Sequence, residues 1–266
     1  MVIAVAGKGG TGKTTVAALI IEVLLSQSKK PILAVDADPN STLGDYLGIR
    51  HQHTISDIME ETKGLRNLPD GVSKPTHLEY QLQRAITETK GVDLLVMGRP
   101  EGPECYCMAN NILRGYLQKI SSNYPYVVID NEAGMEHLSR KTTQNIDALI
   151  LVSDPTKVGL QTAKRIRELI DKMTSLNIRN KYLLVNKVTT DFKDNDIEKI
   201  TGLKVIGYLP YSKELSSEEL VKGSINISQR PRMGSPKGYA HSEQVEQVNP
   251  SALLIKPMTE IIGRLF

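Results

Sequence analysis

Nine residues near the start of the chain, Gly7-Lys8-Gly9-Gly10-Thr11-Gly12-Lys13-Thr14-Thr15, have the types and spacing to hold phosphate. Gly7, Gly12, Lys13 and Thr14 fill the template Gly-x-x-x-x-Gly-Lys-Ser/Thr, and Gly9, Gly10, Thr11 and Thr15 complete the loop. Missing Cβ atoms let backbone N–H groups close around phosphate oxygens, helped by the positive end of the helix that follows. Lys13 is placed to reach the β- and γ-phosphates. The Thr14 hydroxyl is placed to ligate Mg²⁺, an ion that takes hard oxygen ligands. Carboxylates follow at Asp36-Ala37-Asp38-Pro39 and at Asp130, each after an apolar run. A second kind of chemistry resides in Cys105-Tyr106-Cys107. In extended chain, residues two apart point to one side, so both sulfurs can address one soft ion. Such a pair under-coordinates Zn²⁺ by itself, and a second copy of the chain related by two-fold symmetry would complete the set.

The elements that must position these groups are legible from periodicity. Val2 to Ala6 is a short apolar strand, and Val16, Leu19, Ile20, Val23 and Leu24 recur at helical spacing, so the glycines sit between strand and amphipathic helix. Lys29-Lys30-Pro31 turns the chain into a second strand, Ile32 to Val35, which ends in the aspartates. Further apolar strands recur at Val92 to Met97, Tyr126 to Ile129, Ala148 to Val152, Tyr182 to Val185 and Val205 to Leu209. Ser56 to Glu61 and His77 to Thr87 read as helices, and His51-Gln52-His53 as a solvated loop. The whole predicts an α/β fold: a doubly wound, mostly parallel sheet of about seven to eight strands with helices on both faces. In such sheets the ligand crevice lies at the carboxyl ends of the strands, where the loop, Asp36, Asp38 and Asp130 all fall. A single domain spans residues 1–266, with 229–250 a long loop rich in Pro, Gly, Ser and Gln. Met258, Ile261, Ile262, Leu265 and Phe266 share one face of a last helix, which most simply docks on the sheet, a membrane surface being the alternative for such a face.

Composition excludes several classes. With 40% hydrophobic and 24% charged residues among 266, the chain suits a globular protein. A net charge of +3 on 33 basic and 30 acidic side chains leaves no long basic field to announce nucleic acid and no acidic tail to announce disorder, and no membrane partner is expected. No basic leader or long apolar segment precedes the first strand, which points to the cytoplasm. Two cysteines separated by a single residue provide no disulfide framework, so metal or redox chemistry is the better reading of the pair.

Lys8, at the second position of the loop, makes the stretch resemble the deviant Walker A class of P-loop ATPases, which includes nitrogenase-reductase, chromosome-partitioning (ParA) and division-site (MinD) proteins. The resemblance implies an ATP-clamped homodimer in which Lys8 reaches the partner's nucleotide, much as an arginine finger does. It also implies that Asp38 orients the attacking water, that Asp36 and Asp130 lie near Mg²⁺, and that Gly134 reports the γ-phosphate. Asn186 and the backbone near Pro210 would read the base. GTPases carry an aspartate three residues after that asparagine; here the position is Thr189, so ATP is favoured.

Three further segments narrow the resemblance: Asp36-x-Asp38-Pro39, Gly98-Arg99-Pro100-Glu101-Gly102-Pro103 leading into Cys-x-Cys, and Glu132-Ala133-Gly134-Met135-Glu136-His137. Together they are similar to the nickel-insertion accessory ATPases of carbon monoxide dehydrogenase, the CooC type. Membership implies that Cys105 and Cys107 bind Ni²⁺ or Zn²⁺ across the dimer while ATP turnover matures a nickel enzyme, carbon monoxide dehydrogenase or the related acetyl-CoA synthase. Two other functions within the class compete: an iron–sulfur electron donor like nitrogenase reductase, and a positioning ATPase like ParA or MinD. The first uses cysteines far apart in sequence, one of them after the Walker B strand, and no cysteine lies near Asp130.

Overall fold

The computed structural model describes residues 1–64, 74–99, 114–132, 145–173, 176–194, 196–211 and 252–266. In chain order the elements are β1 (Val2–Gly7), α1 (Lys13–Ser26), β2 (Ile32–Asp36), α2 (Leu43–Leu47), α3 (Ile55–Gly64), α4 (Lys74–Arg84), β3 (Ile86–Glu88) and β4 (Val92–Val96). Then come helical residues 114–120, β5 (Tyr126–Asp130), β6 (Asn145–Ser153), α5 (Lys157–Asp171), β7 (Asn177–Val188), α6 (Ile197–Thr201), β8 (Lys204–Pro210) and α7 (Ala252–Gly263). Among the described residues eight strands form one sheet in the order β3-β4-β2-β5-β1-β6-β7-β8, parallel except for β3, which pairs antiparallel with β4 at one edge.

That edge strand is the element the sequence reading missed. The pattern from His77 to Thr87 predicts a helix that includes Ile86 and Thr87, whereas the helix stops at Arg84 and the chain turns at Ala85 into the strand. Three residues are too few to show a period of two, and pairing with β4 decides their conformation.

The central strands are apolar without interruption because both faces of the sheet are covered. Ala4, Ala6, Leu33, Val35, Val127 and Ile129 belong to the core on the side of α3 and α5. Ile3, Val5, Ile32, Ala34, Val128 and Ile150 alternate onto the opposite side, under α1, α2 and α7. The first helix departs from expectation here. Val16 to Leu24 are all buried except Glu22, so α1 is not amphipathic but enclosed. α7 supplies the outer cover: Leu254, Met258, Ile261 and Ile262 share the α1 core, and a Cβ on Gly207 of β8 would stand 2.3 Å from Ile261. The docking expected for the last helix therefore holds for Met258, Ile261 and Ile262. Leu265 is only partly buried, and Phe266 is 57% exposed, lying edge-on to Tyr126 with the Lys29 ammonium 3.1 Å over its ring. Among the described residues no helix is long and apolar enough to cross a membrane.

The topology locates the crevice. From β1 the chain proceeds outward to β2 and β4 on one side, then returns through β5 and crosses to β6 on the other. At this reversal, connections leave β1 and its neighbours in opposite directions and open a cleft at their carboxyl ends. The phosphate loop leaves β1 there.

Candidate functional site

The loop is built from backbone conformations that side chains resist. Gly7, Gly10 and Gly12 have φ of 152°, 78° and 90°, and Gly12 caps α1 in the left-handed region. Space is as restrictive as torsion at two of them. A Cβ on Gly7 would lie 2.3 Å from the Val152 carbonyl oxygen, and one on Gly12 would lie 2.5 Å from Asn186 Nδ2. Thr11 folds inward, its hydroxyl donating to the Lys8 carbonyl at 2.8 Å. Lys13 opens α1 with its side chain nearly buried, Thr14 and Thr15 follow in the first turn, and Lys8, Gly9 and Gly10 are exposed.

Two carboxylates are buried beside the loop. Asp36 and Asp130 are register partners on β2 and β5, and Asp130 also pairs with Val5 of β1, two residues before the loop begins. Asp36 is anchored: its oxygens accept from Leu43 N at 2.8 Å and Asp38 N at 3.1 Å. Asp130 is not. Neither of its oxygens accepts a hydrogen bond of normal geometry among the described residues, although both are inaccessible to water. Burial pushes the Asp36 carboxyl up to about 7, reinforced by the charge of Asp130 and opposed by the two backbone N–H groups. Burial likewise pushes Asp130 up to about 7. The neighbouring Thr14 hydroxyl and Lys13 ammonium pull Asp130 back toward ionisation, but Thr14 stops short of a proper bond to either oxygen. A buried carboxylate with no partner is costly unless something cationic joins it. Hard oxygens from Asp130, Asp36 and Thr14 at a phosphate loop fit Mg²⁺.

Asp38 stands half-buried just past Asp36, and its Oδ1 accepts from Asn40 N at 2.9 Å and from Asn40 Nδ2 at 3.0 Å. This turn fixes a carboxylate at the mouth of the crevice. Next to Asp130, the buried Asn131 donates to the Val5 carbonyl at 2.9 Å and ties β5 to β1 at the point where the loop starts.

Asn186 and Pro210, expected at the base, line a cavity of about 360 Å³ together with Gly10, Tyr46, Tyr211 and Leu254. The cavity adjoins the loop, so one nucleotide can span both. The Asn186 amide is also used structurally, donating to the Thr11 carbonyl at 2.9 Å. Its neighbour Lys187 reaches the Gly10 carbonyl at 2.7 Å. Three groups here escaped the sequence reading: Tyr46, whose hydroxyl meets Thr15 Oγ1 at 3.4 Å, Tyr211 and Lys187. Only Lys187 carried a signal, its adjacency to Asn186. A roomier cavity of about 640 Å³, lined by Lys30, Gly91, Asp93 and Tyr124, opens at the amino ends of β2 and β4 and takes no part in this site.

Cys105, Cys107, Gly134 and residues 229–250 lie outside the described residues. The chain can be followed to Gly98 and Arg99 at the carboxyl end of β4, where Gly98, at φ 74°, is pressed against Thr54. Among the described residues no cluster of three or more His, Cys, Asp or Glu side chains is placed to hold a metal of its own.

Comparison with known proteins agrees with this geometry. Residues 2–224 match the family described as CbiA, the CobQ/CobB/MinD/ParA nucleotide binding domain. An uncharacterised ATP-binding protein of Methanocaldococcus jannaschii is 45% identical over 225 residues, which cover 83% of this chain and 88% of that relative. The carbon monoxide dehydrogenase accessory protein CooC of Rhodospirillum rubrum is 28% identical over 233 residues, 82% of this chain and 87% of CooC. Among solved structures, the MinD cell division protein of Aquifex aeolicus superposes with a TM-score of 0.65 at 23% identity, over 99% of this chain and 95% of that one, and so shares the fold. With the strand order, the phosphate loop and the match over most of its length in accord, the chain belongs to the CobQ/CobB/MinD/ParA family of nucleotide-binding proteins.

Proposed function

We propose that this protein is an ATP-hydrolysing maturation factor that carries Ni²⁺, or Zn²⁺ in its place, and helps insert nickel into carbon monoxide dehydrogenase or acetyl-CoA synthase. The observation that carries the nucleotide half is the convergence of a left-handed glycine loop with Asp36 and with Asp130, buried without a hydrogen bond of normal geometry among the described residues. The nickel half is supported by the Cys105-x-Cys107 sequence and by the similarity to CooC, an accessory protein of carbon monoxide dehydrogenase.

In this reading the backbone N–H groups of Gly9 to Thr15 cradle the phosphates and Lys13 neutralises charge on the β- and γ-oxygens. Thr14, Asp36 and Asp130 would hold Mg²⁺, which when bound neutralises negative charge between the terminal phosphates. Asp38, steadied by Asn40, orients the attacking water, while Asn186 and the Pro210 backbone hold adenine. Lys8, exposed at the loop, reaches the nucleotide of a second copy and draws the dimer closed. Closure brings Cys105 and Cys107 of each copy into one thiolate site, and hydrolysis relaxes it so that the metal passes to the client. Nucleotide state and metal affinity are then reciprocally coupled.

Equilibrium dialysis against Ni²⁺ and Zn²⁺, with and without ATP, tests this directly. The expected result is about one ion per dimer, lost in Cys105→Ser/Cys107→Ser, with Lys8→Ala retaining ATP but losing turnover. Undiminished metal binding by the double serine variant would sink the nickel role. A positioning ATPase of the ParA or MinD kind is the second reading, since the fold is shared with MinD. ATP-dependent sedimentation with DNA or anionic vesicles that survives the serine substitutions would establish it instead.

A further inference from the structure

In a phosphate-binding loop the N–H groups converge on the anion only while the carbonyls of neighbouring peptides point elsewhere, and each such carbonyl needs a donor to hold it. Three are held here. The Lys8 carbonyl accepts the Thr11 hydroxyl at 2.8 Å, the Thr11 carbonyl accepts Asn186 Nδ2 at 2.9 Å, and the Gly10 carbonyl accepts Lys187 Nζ at 2.7 Å. The first is local to the loop. The other two come from the carboxyl end of β7, on a strand separated from β1 by β6.

The backbone at Lys187 is shaped for this reach. Pairing between β7 and β8 slips between Val185 and Val188, and within the slip Lys187 adopts φ of 62°, a left-handed conformation uncommon for a residue with a side chain. The turn is closed by Lys187 N donating to Asn186 Oδ1 at 2.9 Å, which also fixes the amide so that its nitrogen faces Thr11. Consecutive residues of one irregular turn thus pull on consecutive carbonyls of the loop. The Lys187 bond is the charged one, and charged donors make the stronger hydrogen bonds.

We propose that Lys187 is a positioning residue: by holding the Gly10 carbonyl outward, its ammonium keeps the phosphate loop in its anion-binding shape before nucleotide arrives. The inference rests on the nucleotide-binding reading for its ligand, and on the geometry alone for its effect on the loop. Preorganisation of this kind strengthens binding by removing an ordering cost that the ligand would otherwise bear.

The test uses the full chain and three variants. Lys187→Met removes the donor and keeps the bulk. Lys187→Gly removes the donor while relieving the backbone, so it folds even where a side chain at this torsion is marginal. Lys187→Arg restores a charged donor. Amide hydrogen exchange at residues 8–12, measured without nucleotide, is expected to accelerate several-fold in the Met and Gly variants and to return toward wild type in the Arg variant. Binding of a fluorescent ADP analogue with Mg²⁺ is expected to weaken about tenfold in the first two, with Arg recovering most of the loss. A Gly variant that exchanges and binds like wild type would show that the position serves only the turn, and would overturn the proposal. Should wild-type protein fail to bind ADP, the nucleotide reading falls, and the exchange data still decide whether Lys187 holds the loop.

Discussion

Asp36 and Asp130 are register partners at the carboxyl ends of β2 and β5, 0% and 1% exposed, and among the described residues Asp36 alone of the two accepts hydrogen bonds of normal geometry. Burial raises both carboxyl groups to about 7, so each retains its proton at a pH where the unfolded chain has released it. The stability this contributes is complete below the ordinary carboxylate value of about 4 and is lost as pH rises through about 7. Thermal unfolding without nucleotide or Mg²⁺ is therefore expected to show a midpoint that falls from about pH 5 to about pH 8. Asp130→Asn flattens the fall and stabilises the metal-free protein by about 1–2 kcal/mol at the upper end, since it removes a buried charge. A midpoint that climbs across this range in the wild-type protein would contradict the assignment.

Gly7 and Gly12 are expected to fail differently on substitution. The nearest atom to a Cβ at Gly7 is the Val152 carbonyl oxygen, a backbone atom of β6 that cannot yield without disturbing the sheet. Gly7→Ala therefore costs about 3 kcal/mol or more of global stability, read by urea unfolding. At Gly12 the nearest atom is the tip of the Asn186 side chain. Gly12→Ala displaces that amide from Thr11, costing about 1–3 kcal/mol and most of the nucleotide affinity. Equal losses of stability at the two positions would count against this distinction.

α7 is expected to behave as core and not as a membrane anchor. Met258 is fully buried against α1 and β8. Met258→Ala is expected to destabilise by about 2–4 kcal/mol through loss of packing and the cavity left behind, without changing sedimentation with anionic vesicles. Vesicle binding by the wild-type protein that disappears in this variant, at unchanged stability, would reverse the assignment.

Much of the fold was legible because its signals are short in range. Seven strands announced themselves as apolar runs bounded by turn residues, and their burial on both faces explains why the runs are unbroken. β3 was lost because Ile86-Thr87-Glu88 has no conformational preference strong enough to be read without β4 beside it. Glu22 interrupts the apolar run of α1 and gives it an amphipathic pattern in sequence, yet α7 encloses the remainder. The site shows the same division. Lys13, Thr14, Asp36, Asp38 and Asp130 could be named from motif and strand ends, whereas Tyr46 and Tyr211 belong to no local pattern and Lys187 is marked only by its adjacency to Asn186; tertiary contacts bring all three to the loop.

The sequence by itself determined that residues 7–15 form a phosphate loop, because nine contiguous residues encode both the torsions and the donors such a loop requires. It also determined that the cysteines fall two apart, which limits the metal geometry they can serve. Tertiary structure alone decided that Asp130 is buried beside Asp36 without a hydrogen bond of normal geometry among the described residues, and that Asn186 and Lys187, 175 residues or more along the chain, grip the loop's own carbonyls. The reason is physical: torsional preference is a property of neighbours in sequence, whereas desolvation and hydrogen-bond partnership depend on which distant surfaces exclude water together.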